Sequence, residues 1–246
     1  MRTYLKTYGV KPIVISADDY FKDRKDSPKD KNGNYDFECL EALDLELFNS
    51  QMNDLLAGKE VVLPTYNFLT GEKEYKRPPI KLESDNVLLI EGLHCLNEEM
   101  TKELPRDVKY KVFVCPFTPL GIDRHNHLST TDMRLIRRIV RDNRVRGNTV
   151  EDTMKSWPKV KEGEEKYIFP YTDDVDAVLN TAYAYEVGVL RVFAEPLLYS
   201  VKMNSPHYEE ARRLIGLLRN FFPISSEYVE DDNTLREFIG GSIYEK

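Results

Sequence analysis

No apolar run in the 246-residue sequence approaches the roughly 20 residues that a membrane-spanning helix needs. The opening, Met-Arg-Thr-Tyr-Leu-Lys-Thr-Tyr-Gly, has no apolar centre of the kind a secretory signal carries. Cysteine is scarce. Cys39, Cys95 and Cys115 form no Cys-x-x-Cys pair and no zinc spacing, so they read as reduced thiols, and a cytoplasmic location without a membrane partner is the expectation. His94, His125, His127 and His207 form no metal signature, and a separation of two splays His125 and His127 on a helix. Basic charge does not dominate either: 35 Lys and Arg against 42 Asp and Glu give −7. That balance argues against a chain coated with nucleic acid, while a local basic stripe stays open. Glycine-rich phosphate loops are missing too. The only Gly-Lys, Gly58-Lys59, is followed by Glu60 and has Asn53 where the first glycine of Gly-x-x-x-x-Gly-Lys-Ser/Thr should stand, and no Gly-x-Gly-x-x-Gly occurs.

What is present is a globular composition, 41% hydrophobic and 31% charged, which excludes a disordered chain. The length fits one large α/β domain, or one domain with an appendage. Tyr4, Leu5 and Tyr8 lie at helical spacing ahead of Gly9, so the chain reads as opening inside a helix with no capping residue before it. Apolar runs at Val10–Ser16, Val61–Leu63, Val87–Ile90, Lys111–Val114 and Val175–Leu179 predict strands. Between them, Asp23–Asn34 and Thr65–Pro79 read as loops. Helices are predicted over Leu40–Leu56, from Pro119, over about Thr131–Arg146, over Thr149–Tyr167 with a bend at Pro158, over Tyr183–Val201 and over His207–Phe221, with a last turn at Leu235–Ile239. Strands alternating with helices predict a parallel sheet wrapped by helices on both faces. Ligands then sit beyond the carboxyl ends of the strands.

Asp18-Asp19 follow the first strand. Adjacent carboxylates there can hold a divalent metal or take a proton from a hydroxyl, or they can cap a helix. Glu91-Gly92 end the second long strand, where a carboxylate reads as a metal-water ligand or as one half of a buried pair. Six arginines and one aspartate between Arg134 and Arg146 give +5 in thirteen residues. Arg134, Arg137, Arg138 and Arg141 follow i, i+3, i+4, i+7 and share a helix face. Planar forks in a row suit a polyphosphate; a solvated face with ion pairs to Asp132 and Asp142, or an RNA backbone contact, are the other readings. Pro64-Thr65-Tyr66-Asn67-Phe68 offers rings that can stack on a base or fill a core, and Trp157 is assigned to packing.

In their order these segments resemble the uridine kinase and phosphoribulokinase family of phosphate-loop kinases. The carrying motifs are Val-Ile-Ser-Ala-Asp18-Asp-Tyr-Phe, Tyr35-Asp36-Phe37 with Glu41-Ala-Leu-Asp44, Leu63-Pro-Thr-Tyr66-Asn-Phe68, Leu-Leu-Ile-Glu91-Gly and Arg134-Leu-Ile-Arg137-Arg138-Ile-Val-Arg141-Asp142 with Arg146-Gly147. The likeness covers about Pro12 to Val201. The remainder, from His207 to Leu235-Arg-Glu-Phe-Ile-Gly-Gly, looks like a long variant whose kinase part follows domains related to the front of threonyl-tRNA synthetase.

The resemblance implies an α/β fold: a phosphate-loop NTPase-like parallel sheet flanked by helices. Residues 1–201 would be the kinase-like catalytic domain with a lid at about 131–147, and 202–246 a helical C-terminal extension. It implies that the first strand and phosphate loop are missing, with Met1 inside the helix that follows them, so that the chain looks truncated, started late or split. It implies ATP as co-substrate, Mg2+, and a nucleoside or other small hydroxyl substrate. Asp18 would be the base that takes the 5′-hydroxyl proton and touches magnesium water, and Glu91 the second acidic group at the metal. Asp36 and Tyr66 would hold sugar and base, with Phe68 stacking. Arg138 and Arg141 would clamp phosphates, supported by Arg134, Arg137 and Arg146. Asn67 replaces the family's usual Asp, and the expected His is absent near Thr70-Gly71, which puts the base in doubt. Without the phosphate cradle the chain alone is expected to be inactive or nearly so, and prone to self-association or in need of the missing segment as partner. The competing readings are a non-catalytic nucleotide- or phosphate-binding regulatory module and a nucleic-acid partner using the arginine helix.

Overall fold

The structure, a computed structural model, describes residues 2–31, 33, 35–118 and 120–244. The chain divides into two compact units. One comprises Met1–Phe113 and Glu162–Ala177, the other Val114–Lys161 and Val178–Lys246.

The first unit opens with helix α1 (Arg2–Thr7), which buries no residue; Gly9 follows with φ 77, as its position after a helix predicts. Met1, expected inside this helix, lies outside the described residues. Strand β1 (Lys11–Ser16) follows. Helix α2 (Leu45–Leu56) is shorter than the apolar spacing predicts, because the Asp44 carboxylate accepts from the Leu47 N–H and caps it; residues 40–42 form a separate 3-10 turn. Strands β2 (Thr65–Asn67) and β3 (Glu72–Glu74) form a hairpin inside the stretch expected to be a loop, registered Tyr66↔Lys73. Its turn uses Gly71 at φ 77, with the Arg24 side chain packed where a Cβ would go. The expected strand at Val61–Leu63 is reduced to one bridge, Val61 to Ile80, since Pro64 has no N–H to extend a ladder. Asp23–Asn34 is loop with a 3-10 turn at Arg24–Asp26; its Asn32 and Asn34 lie outside the described residues.

Strand β4 (Asn86–Glu91) pairs in parallel with β1, from Lys11↔Asn86 to Ser16↔Glu91. One face of this pair, with Ile13, Ile15, Leu88 and Ile90, packs on a core built around Tyr20, Phe48, Met52 and Leu55. Parallel pairing has a direct consequence for chemistry: the residues following the two strands emerge at the same end. Strand β5 (Val112–Cys115) pairs with β6 (Ala177–Asn180) where the chain passes between the units. Among the described residues the strands thus pair two by two: one parallel pair, one hairpin and the β5–β6 pair. The α/β class, with parallel strands flanked by helices, is the architecture the sequence pattern predicts.

In the second unit the helix expected from Pro119 is not formed. Pro119 itself lies outside the described residues. From Gly121 to His127 the chain makes a bridged turn in which the Asp123 carboxylate accepts from the N–H groups of His125 (2.7 Å) and Asn126 (2.8 Å). Helix α3 (Thr130–Arg146) then starts at Ser129, whose hydroxyl accepts from the Asp132 N–H, and stops at Gly147 with φ 67. Helix α4 (Val150–Tyr167) contains Pro158 and runs through the division between the units at residue 161. Helices α5 (Glu186–Tyr199), α6 (Tyr208–Leu218) and α7 (Arg236–Ile239) complete the unit. Ile136, Ile139, Leu190, Ala194, Leu214, Leu235 and Ile239 share one core, so α6 and α7, in the segment expected as an extension, pack into the same apolar mass as α3 and α5. Among the described residues no helix is long and apolar enough to cross a membrane.

Candidate active site

The carboxyl ends of β1 and β4 bring Asp18 and Glu91 together. Ser16 is paired with Glu91, and Asp18 lies two residues past the end of β1 in a 3-10 turn. Burial raises the Asp18 carboxyl above its ordinary range, and the nearby Glu91, Asp19 and Glu38 charges push it the same way. Asp18 as a whole residue remains exposed to solvent. No ion pair or hydrogen bond reaches either the Asp18 or the Glu91 carboxylate among the described residues. Among the described residues no group of three metal-ligating side chains forms, so a hard divalent cation here would be held by this carboxylate pair and water, and would relieve their repulsion.

The two adjacent aspartates divide their work. Asp19 is committed to the fold: one oxygen accepts from the Tyr66 N–H (3.1 Å), and the other accepts from the Arg77 guanidinium (2.9 Å). It ties the β2–β3 hairpin to the end of β1 and leaves Asp18 as the chemically available member. Two neighbours were not foreseen. Glu38 comes near Asp18 through a loop, and no sequence spacing announces it. The Cys95 thiol lies against Glu91 and Asp18; burial first, then those two carboxylates, push it up to about 12. Its surroundings thus favour the neutral thiol over the thiolate.

Beside the carboxylates lies a cluster of rings. Phe21 meets Tyr66 (5.6 Å), Phe37 (5.8 Å) and Phe68 (6.4 Å) edge to face, and Tyr66 meets Phe68 at 5.1 Å. Tyr66 is buried, and its hydroxyl has no partner among the described residues. Phe68 is 61% exposed and offers a free ring face. Asp36 is half-buried, and its carboxylate accepts from the Glu38 N–H (3.2 Å). An unsatisfied buried hydroxyl costs about 1–3 kcal/mol. Tyr66→Phe is therefore expected to stabilise the ligand-free protein by about 1 kcal/mol, read from urea unfolding. No gain would mean that the hydroxyl is already solvated.

His94, three residues beyond Glu91, is 3% exposed and meets Tyr167 edge to face at 5.4 Å, with no hydrogen bond to either ring nitrogen. Burial lowers its pKa, opposed in part by the Glu38 carbonyl and the Glu41 charge. The unfolded chain takes up a proton as the pH falls through about 6.5, while the folded chain does not. Stability should thus be full above that pH and fall below it. His94→Leu is expected to flatten the decline between pH 7 and pH 5; an unchanged slope would assign the decline to other groups.

The predicted arginines lie on α3, in the second unit, and the structure sorts them. Arg137 turns inward. It pairs with both oxygens of the fully buried Glu186 (2.7 Å through one nitrogen) and donates to the Thr181 carbonyl (2.8 Å), and its guanidinium stacks over Phe238 at 4.9 Å. That guanidinium is held by the fold. Arg138, Arg141 and Arg146 surround the buried Asp142 carboxylate at 3.2, 3.2 and 3.4 Å, and Arg141 also reaches Glu237 at 3.6 Å. Arg144 donates to the carbonyls of Glu237 and Phe238. Arg134 is half-buried on the same helix. Arg138, Arg141 and Arg146 thus share one buried carboxylate, and Arg141 has a second acidic partner. Sequence spacing could not reveal Glu186 or Glu237 as partners, because they lie on other helices.

Comparison with known proteins agrees with the motif order. The family model described as Phosphoribulokinase / Uridine kinase family matches residues 8–187. A uridine kinase of Halobacterium salinarum is 25% identical over 173 residues, covering 70% of this chain and 68% of that protein. A uridine kinase of Lactobacillus helveticus is 26% identical over 178 residues, 72% of this chain and 76% of its own. One from Chloroflexus aggregans is 31% identical over 145 residues, 58% and 60% respectively.

Proposed function

Because the chain belongs to the phosphoribulokinase and uridine kinase family, we propose that its nucleoside kinase-like site transfers phosphate from ATP to the hydroxyl of a nucleoside. The observation that carries this reading is the Asp18–Glu91 pair at the shared end of two parallel strands, with Asp18 raised by burial and by Glu91. A carboxylate whose pKa moves up towards neutrality is a better proton acceptor at working pH. Asp18 would accept the acceptor hydroxyl's proton. Glu91 and Asp18 would hold Mg2+ through water, and the ion would draw charge from the phosphates. Tyr66 and Asp36 would hold sugar and base, and the exposed Phe68 ring would stack. Arg138 and Arg141, with Arg134 and Arg146, would steady the phosphates; Arg137 would act through the fold by fixing α3 against α5. Residues 1–201 are assigned to catalysis and 202–246 to a helical extension.

These 246 residues contain no Gly-x-x-x-x-Gly-Lys-Ser/Thr. Removing one preorganised donor at a site of developing charge costs about 10²–10³ in rate. A polypeptide of these residues alone is therefore proposed to transfer phosphate at a very low rate. That same absence favours a second reading, a non-catalytic module that binds a nucleotide or phosphate.

The test uses radiolabelled ATP with uridine or cytidine at excess protein, together with calorimetric binding of each ligand. Slow transfer lost on Asp18→Asn, with uridine affinity reduced by Tyr66→Phe, supports the kinase. Nucleotide binding without transfer supports the regulatory module. Salt-dependent RNA binding that survives Asp18→Asn and falls on Arg138→Ala would overturn both.

A further inference from the structure

A cavity of about 450 Å3 opens between α5 and α6, lined among others by Tyr199, Tyr208, Arg212, Ile215, Gly216 and Arg219. It lies wholly beyond the family-matched stretch, which ends at residue 187. Its volume falls within the range of small-molecule sites. From α6 the lining follows i, i+3, i+4, i+7, i+8 and i+11, so one stripe of that helix forms a wall.

The two guanidiniums in the wall differ. Arg219 is occupied: it pairs with Glu195 at 3.1 Å, donates to the Tyr199 hydroxyl and stacks at 5.7 Å on that ring. Arg212 is exposed and meets only the Tyr208 ring, at 5.9 Å, with no acidic partner among the described residues. Arg213 binds both Glu210 and Asp132, and the exposed Glu209, three residues before Arg212, makes no ion pair with it among the described residues. Arg212 therefore presents a fork engaged by no carboxylate, beside an aromatic ring at the rim of a recess with a mixed polar and apolar lining.

Gly216 supplies an independent observation. It sits inside α6, where glycine is the poorest choice after proline. A Cβ built there meets nothing within 4 Å. No steric conflict or positive φ requires glycine, and the space it leaves belongs to the cavity.

We propose that this cavity binds a small amphipathic anion: a planar apolar body that lies against the Tyr199 and Tyr208 rings and carries one carboxylate, sulfonate or phosphate group to Arg212. A guanidinium fork suits any of these anions, and the tyrosine rings offer stacking surface to the planar part.

The full chain can be titrated with 8-anilinonaphthalene-1-sulfonate, a fluorescent planar anion, and with N-phenyl-1-naphthylamine, its uncharged relative. The expected result is one saturable sulfonate site per chain, weakened at least tenfold by Arg212→Ala and restored to within about threefold by Arg212→Lys, consistent with loss of a charge-assisted contact. Gly216→Leu should abolish binding by filling the recess. Helix content, followed by circular dichroism, should be unchanged in each variant, since Arg212 is exposed and Gly216 has open space beside it. The neutral dye should be indifferent to Arg212→Ala. Displacement by benzoate or by phenyl phosphate then distinguishes a carboxylate from a phosphate ligand. Binding that persists in both Arg212→Ala and Gly216→Leu, or a charged dye that binds no better than the neutral one, overturns the proposal.

Discussion

Glu186→Ala is expected to destabilise the second unit by about 3–5 kcal/mol, the usual cost of removing one member of a buried ion pair. Glu186 is fully buried at the first position of α5. Its carboxylate takes two nitrogens of Arg137 and the Tyr183 N–H at 3.2 Å. Cutting back the acid leaves a guanidinium that is 8% exposed, with only the Thr181 oxygens and the Phe238 ring to answer it. The desolvation cost of that cation then stands against folding. Arg137→Met together with Glu186→Leu should recover most of the loss, because apolar groups of similar volume often replace a buried pair without penalty. Urea unfolding of the two single variants and the double variant measures the coupling. A Glu186→Ala loss under about 1 kcal/mol would show that the pair is hydrated and that α3 is held to α5 by apolar contacts alone.

Asp18→Asn should move stability and turnover in opposite directions. Its carboxyl is raised by burial and by Glu91, Asp19 and Glu38, so the charged form is unfavourable in the folded chain. The native state takes up a proton at higher pH than the unfolded one. Stability therefore rises as the pH falls through the folded pKa towards the ordinary value of 3.8. At pH 7 the neutral amide should raise the unfolding midpoint, and this advantage should disappear below about pH 4. Phosphate transfer to uridine should drop by about 10²–10⁴, the usual contribution of a positioned base. Single-turnover measurement at excess protein resolves both rates. An unchanged rate would refute the assignment of Asp18 as base. An unchanged midpoint would refute the crowding of carboxylates around it.

The sequence made the local signals legible. β-branched runs marked β1 and β4, Ser129 and Gly147 bounded α3, and the acidic residues following the strands marked the site. Errors came where a side chain or a distant partner decides. Asp44 starts α2 later than leucine spacing suggests. The β2–β3 hairpin lies in a polar segment with little apolar alternation, and Asp19 and Arg24 pin it from elsewhere in the chain. The arginine stripe was visible, but its division between fold and surface was not. Arg137 finds its partner 49 residues away, and no periodicity on α3 separates it from Arg138. Glu38 entered the carboxylate group in the same way, through the path of a loop.

One close approach sets the gauge of the carboxylate site. Gly92 follows Glu91 with φ 153, and a methyl group there would stand 2.5 Å from the Ala17 Cβ. The Gly92 main chain, next to Glu91, thus packs directly against the side chain of Ala17, next to Asp18. Side-chain enlargement at this seam has only one direction, outward, and would pry Asp18 from Glu91. Any evolutionary retuning towards a narrower jaw would have to begin in the backbone itself.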